Sequence, residues 1–270
     1  MTGSVPALKV GIWQDSGRVG DIAENLAFIS RATEHAARCG VDLLIFPECF
    51  LTGYFNGNAV DPIARQIDRN TVFELQVTAR SNATAILVGY YEAKEAGVHN
   101  SAMLIGADGK MLANYRKRAL FGDWERRVFI PGRKPVLAVF NGIRIAVLIC
   151  FDIEFPELAR ECARIGADLI AVPTSLMKPN GHIAERLIPA RAIENQVYVA
   201  YANRIGREHG MHFVGKSVIL DPDGVELARA SCDLPELIYA DISRSTLNAA
   251  RFEFSYLGEL RSLFGAAVAD

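Results

Sequence analysis

CGVDLLIFPE (Cys39–Glu48) and IGADLIAVPT (Ile165–Thr174) repeat one pattern: a helix end, a Gly, an Asp, an apolar strand and a Pro just after it. Two copies so far apart are not a solenoid, whose repeats recur every ~20 to 50 residues. They point to two similar α/β halves packed against each other. Two mixed β-sheets with helices outside, stacked as an α-β-β-α sandwich, accommodate such halves in a single domain over residues 1–270. The rest of the chain agrees, because short apolar runs alternate with helical periodicity throughout and no Pro/Ser-rich linker interrupts them. Strands are predicted at Lys9–Trp13, Leu43–Phe46, Ala85–Tyr91, Ser101–Ile105, Arg144–Ile149, Leu169–Val172, Tyr198–Ala202 and Ser217–Leu220. Helices are predicted at Ile22–Arg38, at Phe155–Ile165 with Pro156 where a missing N–H costs little, and at Ile183–Gln196. GADGKML and LDPDGVEL read as hairpin turns.

Half of the 270 residues are hydrophobic and 22% are charged, which excludes a mainly disordered, collagenous or coiled-coil chain. The 29 basic and 31 acidic residues leave a formal charge of −2. That balance gives no electrostatic case for nucleic acid or an anionic membrane as a partner. The longest apolar run, Ile145–Phe151, is far too short to cross a bilayer. MTGSVPALKVGIWQD at the N-terminus lacks the basic-then-apolar order of a secretory signal. Cys39, Cys49, Cys150, Cys162 and Cys232 are an odd number with no CxxC pair, neither a disulfide framework nor a zinc site. His209 and His212 lie in a Gly-rich turn without acidic or Cys partners at ligand spacing. The expectation is a soluble cytoplasmic protein with reduced thiols, no metal and no cofactor.

Three reactive residues share one local setting. Glu48 follows LLIFP, Lys117 follows the strand-like MLANYR, and Cys150 ends IRIAVLI. Functional groups of an open α/β sheet gather outside the carboxyl ends of its strands, so these three can meet although far apart in sequence. Together they permit acyl transfer. A free thiol, with a pKa of about 8.5, needs a base or a nearby cation to act as a nucleophile. Glu48 would take its proton and return it to a leaving amine. Lys117 and the backbone N–H of Phe151 would hold the oxyanion, and a thioester on Cys150 would then be hydrolysed.

FPECFLTGY (Phe46–Tyr54), YRKRALFGDWERRVFIPG (Tyr115–Gly132) and CFDIEFPE (Cys150–Glu157) resemble the three signature segments of the nitrilase superfamily, the carbon–nitrogen hydrolases. The resemblance continues through PARAIENQVYVAYANRIG (Pro189–Gly206) and GKSVILDPDG (Gly215–Gly224), and so covers nearly the whole chain. It implies an α-β-β-α sandwich, a Glu–Lys–Cys triad at Glu48, Lys117 and Cys150, and a supporting carboxylate at Glu125 that positions substrate and orients the lysine. It also implies a homodimer or a higher homo-oligomer. True nitrilases usually carry Trp-Glu after the nucleophile and carbamoylases carry basic residues there, whereas this chain has Phe151-Asp152 followed by Ile153, Glu154 and Phe155. The segment looks most like the amidase branches. Many relatives have a histidine where this chain has Ala119.

The expected activity is therefore hydrolysis of a small-molecule carboxamide to acid and ammonia. The alternatives are nitrile or N-carbamoyl hydrolysis, an omega-amidase acting on carboxylate-bearing amides, or a non-catalytic binding protein on the same fold. Tyr54, Trp124 and Phe151 flank the triad as candidate pocket walls, with core packing the alternative for the Phe151 ring. Thr174 and Ser175, at the end of the second repeat, either contact substrate or cap the next turn. Arg118, Arg126, Arg127 and Arg204 are candidate partners for a substrate carboxylate, or plain surface charges. Arg191 and Glu194, at i, i+3 on one helix, read as a structural ion pair, and Asn195 as structural with them. GMHFVGKS (Gly210–Ser217) fits the phosphate-loop pattern, but the strand-like VIL after it leaves no helix N-terminus to hold phosphates. RFEFSYLGELRSLF (Arg251–Phe264) offers an apolar surface for an interface, or packing on the domain's own flank.

Overall fold

A computed structural model describes residues 7–265, so the first residues of the N-terminal segment and the last five lie outside it. The first half of the chain contains β1 (Leu8–Gln14), α1 (Ile22–Arg38), β2 (Leu43–Ile45), α2 (Val60–Ala64), α3 (Arg69–Asn82), β3 (Ala85–Lys94), β4 (Gly97–Ile105), β5 (Met111–Arg116) and α4 (Gly122–Val128). The second contains β6 (Leu137–Phe140), β7 (Ile143–Val147), α5 (Pro156–Arg164), β8 (Leu169–Pro173), α6 (Ile188–Asn195), β9 (Tyr198–Ala202), the short pair β10 (Arg207–Glu208) and β11 (Met211–His212), then β12 (Val218–Leu220) and β13 (Glu226–Arg229). The strand β14 (Glu236–Ile242) and the helices α7 (Arg244–Glu253) and α8 (Tyr256–Phe264) follow.

Two six-stranded mixed sheets result, ordered β14-β1-β2-β3-β4-β5 and β13-β12-β9-β8-β7-β6. Strands β1, β2 and β3 run parallel, as do β7, β8 and β9, and every other strand of the two sheets pairs antiparallel with its neighbour. One apolar cluster joins Val10, Ile12, Leu43, Ile45 and Leu87 of the first sheet to Ile145, Val147, Leu169 and Ala171 of the second, and extends to Ala159 and Cys162 of α5. The other faces of the first sheet's strands, Leu44, Ile86 and Val88, pack with Ile29 and Ala36 of α1 and Leu75 and Ala79 of α3. The architecture is thus the expected four-layer α-β-β-α sandwich. Strands buried on both faces explain why LLI and AILV read as continuous apolar runs rather than alternating ones.

The repeated pattern has one structural cause. Gly40 and Gly166 take positive φ (75° and 97°) to end their helices. Asp42 then accepts the Lys9 N–H at 2.8 Å, donates its own N–H to Lys9 O at 2.9 Å, and its carbonyl accepts from Ala85 at 2.7 Å. Asp168 does the same with Arg144 (3.1 and 2.8 Å) and Tyr198 (2.9 Å). In each half the aspartate locks the central strand between its two parallel neighbours. Both central strands end at a proline, and there the halves meet: Glu48 N lies 3.4 Å from Thr174 O.

Every predicted strand is present within a few residues, and MLANYR forms β5. GADGKML closes β4–β5 and LDPDGVEL closes β12–β13. The predicted helix at Ile183–Gln196 begins as a wider π-type turn over Ile183–Leu187 and continues as α6. Sequence reading names neither α3 nor β14, because α3 buries only Thr71, Leu75 and Ala79 and β14 keeps only Ile242 fully buried. Lys216-Ser217 leads into strand β12, so the phosphate-loop lookalike has no helix behind it. Among the described residues no helix is long and apolar enough to cross a membrane.

Glu92 stitches β3, β4 and β5 together just before Lys117. It accepts from Ser101 (2.9 Å), Asn114 (3.1 Å) and Arg116 (2.7 and 2.8 Å) and pairs with Lys94 at 3.0 Å. Burial alone would raise its pKa, but the bonds from Arg116, Lys94 and Ser101 pull it from 4.5 to about 2. A depressed carboxylate stabilises the fold above its unfolded pKa, and that contribution is lost as pH falls through the folded one. Glu92→Gln should therefore cost about 1–2 kcal/mol at pH 7, discounted for the part-exposed Arg116. Urea unfolding should show the wild-type advantage shrinking below pH 4.5 towards pH 2. A difference that does not vary with pH contradicts this account.

Candidate active site

Glu48, Lys117 and Cys150 each sit where a strand stops, and Glu125 lies on the buried side of α4. Glu48 follows β2 and Pro47, on a turn pressed so close to β3 that a Cβ on Gly89 would lie 2.4 Å from Cys49 N. Lys117 follows β5, with its N–H on Asn100 O at 2.8 Å and its carbonyl accepting from Gly132 N at 2.7 Å. A Cβ on Gly132 would meet Arg116 O at 2.2 Å, so the glycine that ends YRKRALFGDWERRVFIPG is a close-approach requirement. Cys150 follows β7 with φ at 48°, in the left-handed region that a non-glycine residue occupies at a cost of about 1–3 kcal/mol. A single-turn 3-10 segment, Cys150–Glu154, starts at this point.

These ends converge. Lys117 Nζ lies 2.7 Å from Glu48 Oε1 and 2.7 Å from Glu125 Oε1, and all three side chains are fully buried. Asn100 Nδ2 donates to Glu48 Oε1 at 2.8 Å. Tyr54 OH donates to Glu125 Oε1 at 2.8 Å, and Phe121 N to Glu125 Oε2 at 2.7 Å. Arg204, also buried, donates to the carbonyls of Glu48 and Cys49 at 3.3 Å each, and pairs with Glu208 at 2.9 Å. One carboxylate atom stands apart: Glu48 Oε2 is buried and has no hydrogen-bond partner among the described residues. A buried acceptor left unpaired costs about 1–3 kcal/mol, so this atom is an exception that calls for an explanation.

The electrostatics follow from this arrangement. Burial alone would lower the Lys117 pKa, but the charges of Glu125 and Glu48 hold it well above the ordinary lysine value. Burial lifts Glu125 above the usual carboxylate range, against the pull of Lys117. Burial and then the Glu48 charge push the Cys150 thiol up, while Lys117 and hydrogen bonds from Ser175 N–H and Thr174 pull it down. The resting sulfur is therefore a neutral thiol beside a carboxylate and an ammonium. Cys49 is also raised by burial and Glu48, but it is sealed off and donates to Asn100 Oδ1 at 3.4 Å. Cys150, 9% exposed, is the sulfur a small molecule reaches.

A cavity of about 200 Å³ opens on Cys150, lined by Tyr54, Phe121, Glu154 and Ser175 together with Leu176, Met177, Asn180 and Ile183. Of the candidate pocket residues, Tyr54 and Ser175 are in the lining, and Thr174 sits against the thiol with its hydroxyl on Tyr201 OH at 3.2 Å. Trp124 and Phe151 are not in the lining. Trp124 packs behind Tyr54, against Phe55 and Phe129, and the Phe151 ring makes edge-to-face contacts with Phe121 and Phe155. Flanking the triad in sequence put Phe151 on the chain next to Cys150, but the 3-10 turn rotates its ring away. Arg191 pairs with Glu194 at 3.0 Å as expected and also holds the carbonyls of Ile153 and Glu154. Asn195 bonds back to Arg191 O at 2.9 Å.

Sequence reading missed Asn100, Asp152 and most of the far wall. Asn100 is a lone amide in the strand GVHNSAMLI, and Asp152 lies within the CFDIEFPE motif, so each carried a signal. Leu176, Met177 and Asn180 lie on an irregular segment without periodicity, and Ile183 opens the π-type turn before α6. Asp152 is a buried hub: it accepts from Tyr115 OH (2.9 Å), Ile149 N (3.0 Å), Arg118 N (3.1 Å) and Ala119 N (2.7 Å). It thereby ties the chain after Lys117 to the turn that carries Cys150.

Comparison with known proteins agrees with this geometry. The carbon-nitrogen hydrolase family model matches residues 9–252. "Hydrolase in pqqF 5'region" of Pseudomonas protegens is 40% identical over 95% of this chain and 90% of its own length. An (R)-stereoselective amidase of Pseudomonas sp. is 34% identical over 94% and 92%. The crystal structure of an amidase from Nesterenkonia sp. superposes with a TM-score of 0.84 at 31% identity, covering 94% of this chain and 98% of that one. A variant of that amidase shows the result of Michael addition of acrylamide at its active site cysteine. The chain belongs to the carbon–nitrogen hydrolase family, the nitrilase superfamily, and is a hydrolase of carbon–nitrogen bonds.

Asp152→Asn should separate positioning from folding at this hub. An amide offers one acceptor oxygen to four donors, so at least two bonds are lost, at a cost of about 2–4 kcal/mol. Thermal unfolding should shift down accordingly, and kcat should fall more than KM rises. Wild-type stability in this variant would contradict the role assigned to the carboxylate.

Proposed function

We propose that the protein hydrolyses small carboxamides to a carboxylic acid and ammonia through a thioester on Cys150. Glu48 takes the thiol proton as the sulfur attacks the carbonyl carbon. The oxyanion is received by the Lys117 ammonium and by the Phe151 N–H, at the start of a helical turn where backbone donors lack internal partners. Glu48 then passes its proton to the amide nitrogen, the C–N bond breaks and ammonia leaves. Water gives a proton to Glu48 and its oxygen to the thioester carbon, and collapse of that intermediate releases the acid and returns the proton to sulfur. Glu125, with both oxygens engaged, orients Lys117 and anchors Tyr54 at the cavity wall.

The observation that carries this reading is Glu48 Oε2, unpartnered among the described residues, whose carboxylate shares Lys117 with Glu125 beside the sulfur that lines the cavity. The amidases among the relatives support the choice of carboxamides over other carbon–nitrogen bonds. The volume of about 200 Å³, below the usual range for drug-sized ligands, supports small substrates. The reading includes self-association as a homodimer or higher oligomer. The C-terminal helices support it by leaving Phe252 93% exposed and Leu263 and Phe264 largely so.

Ammonia release from a panel of amides, with the matching nitriles alongside, tests the proposal. Cys150→Ala should lower turnover of the best amide by at least about 10⁴-fold while its thermal unfolding stays close to that of the wild type. Intact-mass analysis of wild type mixed rapidly with substrate should show an acyl adduct that the variant lacks. Full activity in Cys150→Ala, or turnover confined to nitriles, overturns it.

A further inference from the structure

The cavity beside Cys150 holds one charged side chain that the chemistry above does not use. Glu154 ends the 3-10 segment that Cys150 begins, and both residues line the cavity. Its carboxylate is half-buried and accepts no hydrogen bond from the described residues. The Arg191 guanidinium beside it is already committed, with Nε on Ile153 O (2.9 Å), Nη2 on Glu154 O (2.7 Å) and Nη1 on Glu194 (3.0 Å). The rest of the lining is apolar or neutral.

The basic candidates lie elsewhere. Arg204 is buried behind Glu48, Arg118 pairs with Glu161, Arg126 pairs with Asp123 at 3.5 Å, and Arg127 is exposed outside the cavity. Apart from Glu48 and Lys117, which face the reacting amide itself, an entering substrate therefore meets one carboxylate and no cation in the cavity lining. In so small a space, whatever the acyl group carries must lie close to Glu154 once its carbonyl carbon reaches the sulfur.

We infer that Glu154 determines specificity, selecting carboxamides that carry a protonated amine near the scissile carbonyl, such as amino-acid and short ω-amino amides, and rejecting amides with a free carboxylate. This deepens the amide-hydrolase reading and rests on it. An ammonium on the substrate supplies the hydrogen bonds that the carboxylate lacks, in a part-desolvated setting where opposite charges attract more strongly than in water. A substrate carboxylate meets like charge and finds no cation. Burial already raises Glu154 above the usual carboxylate range, against the pull of Lys117 and Arg191.

Three amides of matched size test the assignment: 3-aminopropanamide, butanamide and succinamic acid, assayed with wild type, Glu154→Gln and Glu154→Lys. In the wild type kcat/KM should fall in that order, by at least about tenfold from the first to the last. Glu154→Gln should cost 3-aminopropanamide at least about tenfold more than it costs butanamide, chiefly through KM. Glu154→Lys should invert the order in favour of succinamic acid. An unchanged order in both variants, or an equal loss on all three amides, overturns the assignment while leaving the amidase reading intact. Failure of the wild type on all three while it releases ammonia from another amide of the panel overturns this inference alone, and silence on every amide brings down the amidase reading with it.

Discussion

One buried ammonium holds the centre of this molecule in place. Lys117 lies 2.7 Å from each of two carboxylates, with no solvent on any of the three side chains. Taking such groups out of water costs several kcal/mol per ion, and removing one partner of a buried pair typically costs about 3–5 kcal/mol. The structure meets that cost with hydrogen bonds from Asn100, Tyr54 and the Phe121 N–H, aimed at the same two carboxylates. Much of the surrounding fold can be understood as the means of bringing Lys117 there. Glu92 binds β3, β4 and β5 together, Gly132 lets a neighbouring segment accept close contact, and Asp152 fastens the following residues to the nucleophile's turn.

The two-half architecture explains how three distant residues arrive at one point. Each Gly-x-Asp motif ends a helix and clamps a central strand between parallel neighbours, so both central strands stop at equivalent places. Where they stop, Glu48 of one repeat faces Thr174 of the other. The halves have diverged at that position: one supplies a carboxylate, the other a hydroxyl that touches the thiol. The strained backbone at Cys150 then turns its sulfur towards the cavity rather than into the sheet.

The architecture and the meeting of Glu48, Lys117 and Cys150 at one place were legible because each depends on local pattern. Buried strands write themselves as apolar runs, the aspartate clamp repeats, and a reactive residue at a strand end has a fixed address. Tyr54 and Ser175 were readable for the same reason. Trp124 and Phe151 misled as cavity walls because adjacency in sequence says nothing about which way a ring leaves a tight turn. Leu176, Met177 and Asn180 stayed hidden, since an irregular segment carries no period, and Ile183 was read only as a helix start. Glu154 was in plain view within CFDIEFPE, yet its meaning depends on its being the one charged residue in the cavity lining, with the neighbouring Arg191 already committed, which only three dimensions reveal.

The account's central claim is that the nucleophile rests as a neutral thiol and owes its activation to Glu48 rather than to a standing thiolate. Thiolate absorbance near 240 nm, taken as the difference between wild type and Cys150→Ser across a pH titration, measures this directly. The account predicts no Cys150 thiolate signal up to about pH 8.5, where a free thiol is half ionised, and an onset at lower pH in Glu48→Gln, because the carboxylate's charge is one of the influences that raise the thiol. A wild-type signal already complete below neutral pH would contradict it.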